Sequence, residues 1–179
     1  MTAEQDLERQ RLAYRQAGLA VARYTQGRPV PDLSLDRSET PAPSEAGSRG
    51  WEVDLGSRSR QKVELEIISR WVGPVAESRA CFDDCEPPQG WGAVREPLAA
   101  LGRRVTRTPG ENDAYLEWLR QRAIGLIDIP QIWAAIEALA SALLDRGVVP
   151  SAEASAIVAG VQRTARRRVG FTGFFRNPR

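Results

Sequence analysis

The side chains that could do chemistry in this 179-residue chain are arginines, carboxylates, two cysteines and five tryptophans, because histidine is absent. A histidine-based triad, a histidine-ligated zinc and an imidazole acid/base are therefore excluded within the chain. Cys81-x-x-x-Cys85, beside Asp83, Asp84 and Glu86, offers two thiolates and nearby carboxylates, but no second ligand pair accompanies it. Two ordinary thiols are the simpler reading, with reversible disulfide formation next if they are close. Asp83-Asp84 and Glu111 with Asp113 could in principle form a two-carboxylate hydrolase. At loops and helix starts such acids more often serve solubility or the helix dipole. Trp71, Trp118 and Trp133 fall on apolar helical faces and read as core; Trp91 follows a Pro-Gly loop and is the candidate for a stacking surface.

The densest charge pattern is at the C-terminus. Arg163, Arg166, Arg167, Arg168, Arg176 and Arg179 occur without an acid, interleaved with Phe171, Phe174 and Phe175. Such a tail could grip phosphates and stack on bases, or dock its phenylalanines on a partner protein. The whole molecule is not strongly charged: net charge is +2, with 42% hydrophobic and 27% charged residues. No apolar run reaches the ~18 residues of a membrane helix. The N-terminal stretch lacks the apolar core of a secretory signal. A reduced, cytoplasmic setting without membrane association is expected.

The elements that must position these groups are mostly helical. Thr2 with Gln5 opens a helix running to about Gln26, with Leu7, Tyr14 and Val21 at seven-residue spacing beside Ala13, Ala17, Ala20 and Tyr24. Gly27 caps it and Pro29 stops it. Val30–Asp36 predicts a short strand, residues 37–50 a flexible Ser/Pro/Glu/Gly-rich loop, and Trp51–Leu55 a second strand. Helices follow at about 59–79, 92–104, 111–125, 130–146 and from 151. Gly73-Pro74 is expected to kink or split the first of these, and Pro97 to lie in the first turn of the second. Thr108-Pro109-Gly110 reads as a break. The fold class expected is α+β: a helical body over residues 1–162, a small sheet in the N-terminal third, and a tail from 163 to 179.

Three segments, in order, resemble the peptidase domain of the FtsH-type zinc metallopeptidase family. Ala13-Tyr14-Arg15-Gln16-Ala17-Gly18-Leu19-Ala20-Val21 followed by Gly27-Arg28-Pro29-Val30 is similar to Ala-x-His-Glu-Ala-Gly-His-Ala-Val and its Gly-Arg-Pro-Val exit. Gly73-Pro74-Val75-Ala76-Glu77 resembles the family's Gly-x-x-Ala-Glu helix. Gly92-Ala93-Val94-Arg95-Glu96 resembles the Gly-Ala-x-x-Asp segment that supplies the third metal ligand. Residues 136–158, with Leu139-Ala140-x-x-Leu143-Leu144, are similar to the end of stand-alone members. The chain has no Gly-Lys-Ser/Thr phosphate loop for an ATPase module.

The departures carry the functional expectation. The resemblance implies that Arg15 and Leu19 stand in place of zinc-binding histidines, Gln16 in place of the general base, and Glu96 in place of the acidic ligand. Arginine and leucine have no lone pair to donate, and glutamine is no useful base at neutral pH. One carboxylate does not hold zinc. No zinc, no cofactor and no peptidase activity are therefore expected. Arg15 is expected to meet Glu96 and replace the charge of the lost metal. The implied function is a catalytically inactive, peptidase-like binding or scaffolding subunit, in a homo- or hetero-oligomer. The alternatives are a nucleic-acid-binding accessory protein using the arginine-rich tail, and a hydrolase using Glu96 or Asp83/Asp84 with a recruited metal.

Overall fold

Small residues on one face of the first helix let it lie almost directly against the second, and that pair is the frame of the molecule. The computed structural model describes residues 3–36, 57–82 and 92–172. Helix α1 spans Ala3–Thr25 and α2 spans Ser57–Phe82. They run antiparallel: Arg11 meets Glu77 near one end and Gln26 meets Leu65 near the other. Ala13, Ala17, Gly18, Ala20, Val21 and Ala22 are the buried residues of α1. A Cβ added at Gly18 would come within 2.9 Å of the Val72 carbonyl oxygen, and one at Gly73 within 2.7 Å of the Arg15 carbonyl oxygen. Backbone-to-backbone approach of this kind needs glycine on both sides. Leu7, expected in the buried stripe, is instead 39% exposed, and Tyr14 and Tyr24 are only partly buried.

Helix α2 buries Val63, Ile67, Ile68, Trp71, Val72 and Val75, the face its spacing predicts. It runs unbroken through Gly73-Pro74, so the expected split does not occur. Packing against α1 over this stretch holds the helix where a missing N–H alone would weaken it. Helix α3, Gly92–Gly102, sits on α2 and α4 and buries Leu98 and Ala99. Pro97 is its sixth residue, inside the helix and past the first turn.

Helix α4, Pro109–Ile127, begins where a break was expected. Thr108 is its N-cap, accepting a hydrogen bond from the Glu111 N–H at 3.1 Å, and Pro109 fills the first turn. Proline there forgoes only an N–H that would have no helical partner. Helix α5, Pro130–Arg146, meets α4 at 81° across a short break. Gly147 closes α5 in the left-handed region at φ 77°. Helix α6 runs Ser151–Thr172, so the first part of the predicted tail continues a helix.

Among the described residues the sheet is two strands of two residues. β1 is Leu33–Ser34 and β2 is Val148–Val149, paired antiparallel with Leu33 opposite Val149. The expected small sheet exists, but its second strand comes from the C-terminal side of α5. The predicted strand Trp51–Leu55 and the loop 37–50 lie outside the described residues. Asp32 and Ser151 strengthen the junction: the Ser151 N–H donates to Asp32 Oδ1 at 2.7 Å and its hydroxyl donates to the Val30 carbonyl at 2.7 Å. The architecture is thus mostly helical, with α1 and α2 at the centre, α5 on α1, α4 on α2 and α6 on α5. Among the described residues no single helix is long and apolar enough to cross a membrane.

Candidate functional site

The close crossing of α1 over α2 sets the geometry of the site. Gly18 and Gly73 bring the backbones together, and Arg15, three residues before Gly18, and Arg11, one turn further back, then meet Glu77, four residues beyond Gly73. Glu77 is the central group. Its side chain is 5% exposed, and both carboxylate oxygens are taken by arginines. Arg11 Nε donates to Oε1 at 2.8 Å and Arg15 Nε donates to Oε2 at 2.5 Å. Arg11 also reaches Glu8 at 2.5 Å and lies over the Phe82 ring. The hydrogen bond to Glu77 raises the affinity of Arg11 for its proton, against the opposing effect of burial. A carboxylate held on both oxygens by fixed cations is a structural anchor and is poorly placed to take a substrate proton.

Gln16, the next residue on α1, faces β1. Its amide nitrogen donates to the Ser34 carbonyl at 2.5 Å, and its amide oxygen accepts from the Ser34 N–H at 3.1 Å. The side chain thereby does for Ser34 what a neighbouring strand would do. On the other edge of β1, the Leu35 N–H donates to the Gly147 carbonyl at 2.8 Å. Gln16 is thus committed on both atoms of its amide. Leu19, one turn further, is half-buried.

The expected pairing of Arg15 with Glu96 is not formed. Arg15 is engaged by Glu77, while the Glu96 side chain is 81% exposed and lies 3.8 Å from Arg103. The reason is topological: Glu96 belongs to α3, which packs on α2 and α4, whereas Glu77 sits on the helix that α1 crosses. Glu96 lines a cleft of about 510 Å³ between α3 and the start of α4, with Arg95, Arg103 and Arg107. Those charges are partly spoken for, since Arg95 binds Asp113 at 3.0 Å.

Cys81 lies one turn beyond Glu77. It is a free, half-buried thiol. Burial pushes its pKa up, the Glu77 carboxylate adds to that and Arg11 works against it, so it is a weak nucleophile at neutral pH. Cys85, Asp83, Asp84, Glu86, Trp51 and Trp91 lie outside the described residues. Glu111 accepts from the Arg107 N–H at 2.7 Å, a capping role. Trp71 is buried as expected, and Trp133 is partly buried, stacked on Tyr14 with the Arg79 guanidinium 4.5 Å from its ring centre. Trp118 departs from expectation: it is 48% exposed, covered on one side by Arg122.

Of the tail residues, Arg163 is exposed on α6. The side chains of Arg166, Arg167, Arg168 and Phe171, and all of Phe174, Phe175, Arg176 and Arg179, lie outside the described residues. Among the described residues no group of three or more Cys, Asp or Glu is arranged to hold a metal ion. The residues that sequence reasoning missed are Arg11 and the roles of Glu77 and Ser34. A signal was available: Arg11 and Arg15 stand four apart on one helical face, where two like charges repel unless an anion lies between them. No protein-family model, no curated protein and no solved structure matches this chain.

Proposed function

We propose that this chain is a non-catalytic protein of metallopeptidase-like ancestry that works as a binding or scaffolding subunit of a larger assembly. The observation that carries the reading is the Arg11–Glu77–Arg15 bridge, joined by Gln16 on Ser34. At the positions where the resemblance would put zinc ligands and a base, the polar groups bond to the protein itself and tie α1 to α2 and β1. The charge that a metal would supply is supplied by guanidinium, and the carboxylate it neutralises is Glu77. Metal analysis with peptide hydrolysis, alongside the mass of the native complex by light scattering, tests the proposal. Zinc-free, inactive protein in a complex larger than one chain supports it. Peptide cleavage by the purified chain, or an isolated monomer in the native source, contradicts it.

A second reading draws on α6. That helix runs to Thr172, so Arg163, Arg166, Arg167 and Arg168 belong to one helical segment, and arginines in such number suit nucleic-acid phosphates. Salt-dependent mobility shift with single- or double-stranded nucleic acid separates the two.

A further inference from the structure

At the end of α1 remote from Arg11, two arginines hold a single carboxylate, Glu66, and a third, Arg23, stands nearby. Glu66 on α2 accepts from Arg70 Nε at 2.6 Å through Oε1 and from Arg28 through Oε2. Both of its oxygens are therefore occupied. Arg23, in the last turn of α1, is close enough to feel the charges of Glu66, Arg28 and Arg70, yet it makes no ion pair and no hydrogen bond with them. Its Nε and the Nη1 of Arg28 are buried without a hydrogen-bond partner among the described residues. Burial, then the neighbouring Arg28, lowers the proton affinity of Arg23. A half-buried guanidinium beside two like charges is a net cost to the fold.

Helix capping does not account for Arg23. Three carbonyls at the end of α1 are already used: Ala22 accepts from the Thr25 hydroxyl and the Gln26 N–H, Arg23 from the Arg28 N–H, and Tyr24 from the Gly27 N–H. Gln26 is likewise committed, donating to the Leu65 carbonyl and accepting from the Ser69 hydroxyl. Among the described residues the cluster holds one anion, Glu66, against three guanidiniums. Arg28 and Arg70 keep 21% and 34% of their side-chain surface, so an approach from solvent remains open.

We propose that Arg23, Arg28 and Arg70 form an oxyanion site that takes a phosphate group, either the free ion or the monoester end of a small molecule. Three guanidiniums against one carboxylate leave an excess of two positive charges, which a phosphate dianion balances. The planar donor forks of arginine suit its oxygens. Glu66 orients Arg28 and Arg70 and competes with the ligand for them. The site lies beyond Arg15, Gln16 and Leu19 along α1 and shares only Arg28 with the peptidase-like segments.

Calorimetric titration of the full chain with inorganic phosphate, and separately with glycerol 3-phosphate, at fixed ionic strength tests this, with thermal unfolding in parallel. Saturable binding of one ion per chain is expected; inorganic phosphate alone would identify the free ion, and both together a monoester site. Arg23→Gln should weaken binding at least about tenfold, as expected for loss of a charge-assisted contact. Without phosphate this variant should be no less stable than the wild type, and with saturating phosphate it should be less stable. Glu66→Gln should bind phosphate more tightly than wild type. No saturable binding, equal binding by Arg23→Gln, or a marked loss of stability in Arg23→Gln without phosphate would overturn the assignment.

Discussion

Glu77 and Glu96 are both glutamates on helices, nineteen residues apart, and their environments could hardly differ more. Glu77 is enclosed between two arginines, whereas Glu96 stands in solvent. Truncating the first leaves Arg11 with Glu8 and the Phe82 ring alone, and exposes Arg15 to solvent. Glu77→Ala is expected to cost about 2–3 kcal/mol, below the full penalty for a buried pair because half of Arg15 is already solvated. Glu96→Ala is expected to change stability by no more than about 0.5 kcal/mol. Urea unfolding of the two variants measures both. The sequence carried the identity of these residues and even the segment holding Glu77. It did not carry the partner, because a contact between residues 62 apart depends on how two helices cross. Trp118 shows the same limit in another form. Tyr115, Leu116, Trp118 and Leu119 are four apolar side chains within five residues, and only the docking of α4 on α2 decides which of them faces out.

Helix positions were legible to within a few residues except at the end of α6, which runs to Thr172 where a tail was expected from 163; the apolar spacing, Gly27, Gly147, Pro109 and Pro130 mark the other boundaries through backbone chemistry. The second strand was not legible. Val148–Val149 is too short to show alternation, and it exists because α5 delivers it beside Leu33. Asp32 serving as acceptor for the first N–H of α6 was equally invisible, since the two are 119 residues apart. The crossing of α1 and α2 gives a prediction at this scale. Gly73→Ala improves helix propensity by about 1 kcal/mol. The added methyl nevertheless meets the Arg15 backbone carbonyl, which cannot rotate away as a side chain could. Overpacking of about 1–3 kcal/mol should win, and the variant should be less stable, with Gly18→Ala behaving likewise. Gly125→Ala, where nothing lies near the added carbon, should gain stability in the same assay.

The stability of the whole molecule should depend on pH at both extremes for identifiable reasons. Burial works to raise the pKa of Glu66, but hydrogen bonds from Arg70 and Arg28 prevail and hold it below the usual carboxylate range. A depressed carboxylate stabilises the fold above its unfolded pKa, and that contribution is lost as pH falls from about 4. Tyr115 acts at the other end. Burial, with the nearby Glu64 carboxylate and a 3.2 Å hydrogen bond to it, pushes the phenol up to about 12. A raised pKa contributes stability below the unfolded value, lost as pH rises from about 10 towards 12. Tyr115→Phe should flatten the alkaline limb of stability against pH and leave the acid limb in place.

The helical frame is common ground for every functional reading. What distinguishes a non-catalytic subunit from a metal-dependent enzyme is the state of the α1–α2 crossing. Calorimetric titration of the metal-free full-length chain with zinc at neutral pH addresses this most directly. The account predicts no stoichiometric binding to wild type, because Arg11 and Arg15 hold the Glu77 carboxylate and Gln16 is bonded to Ser34. One zinc bound per chain, lost in Glu77→Ala, would contradict it.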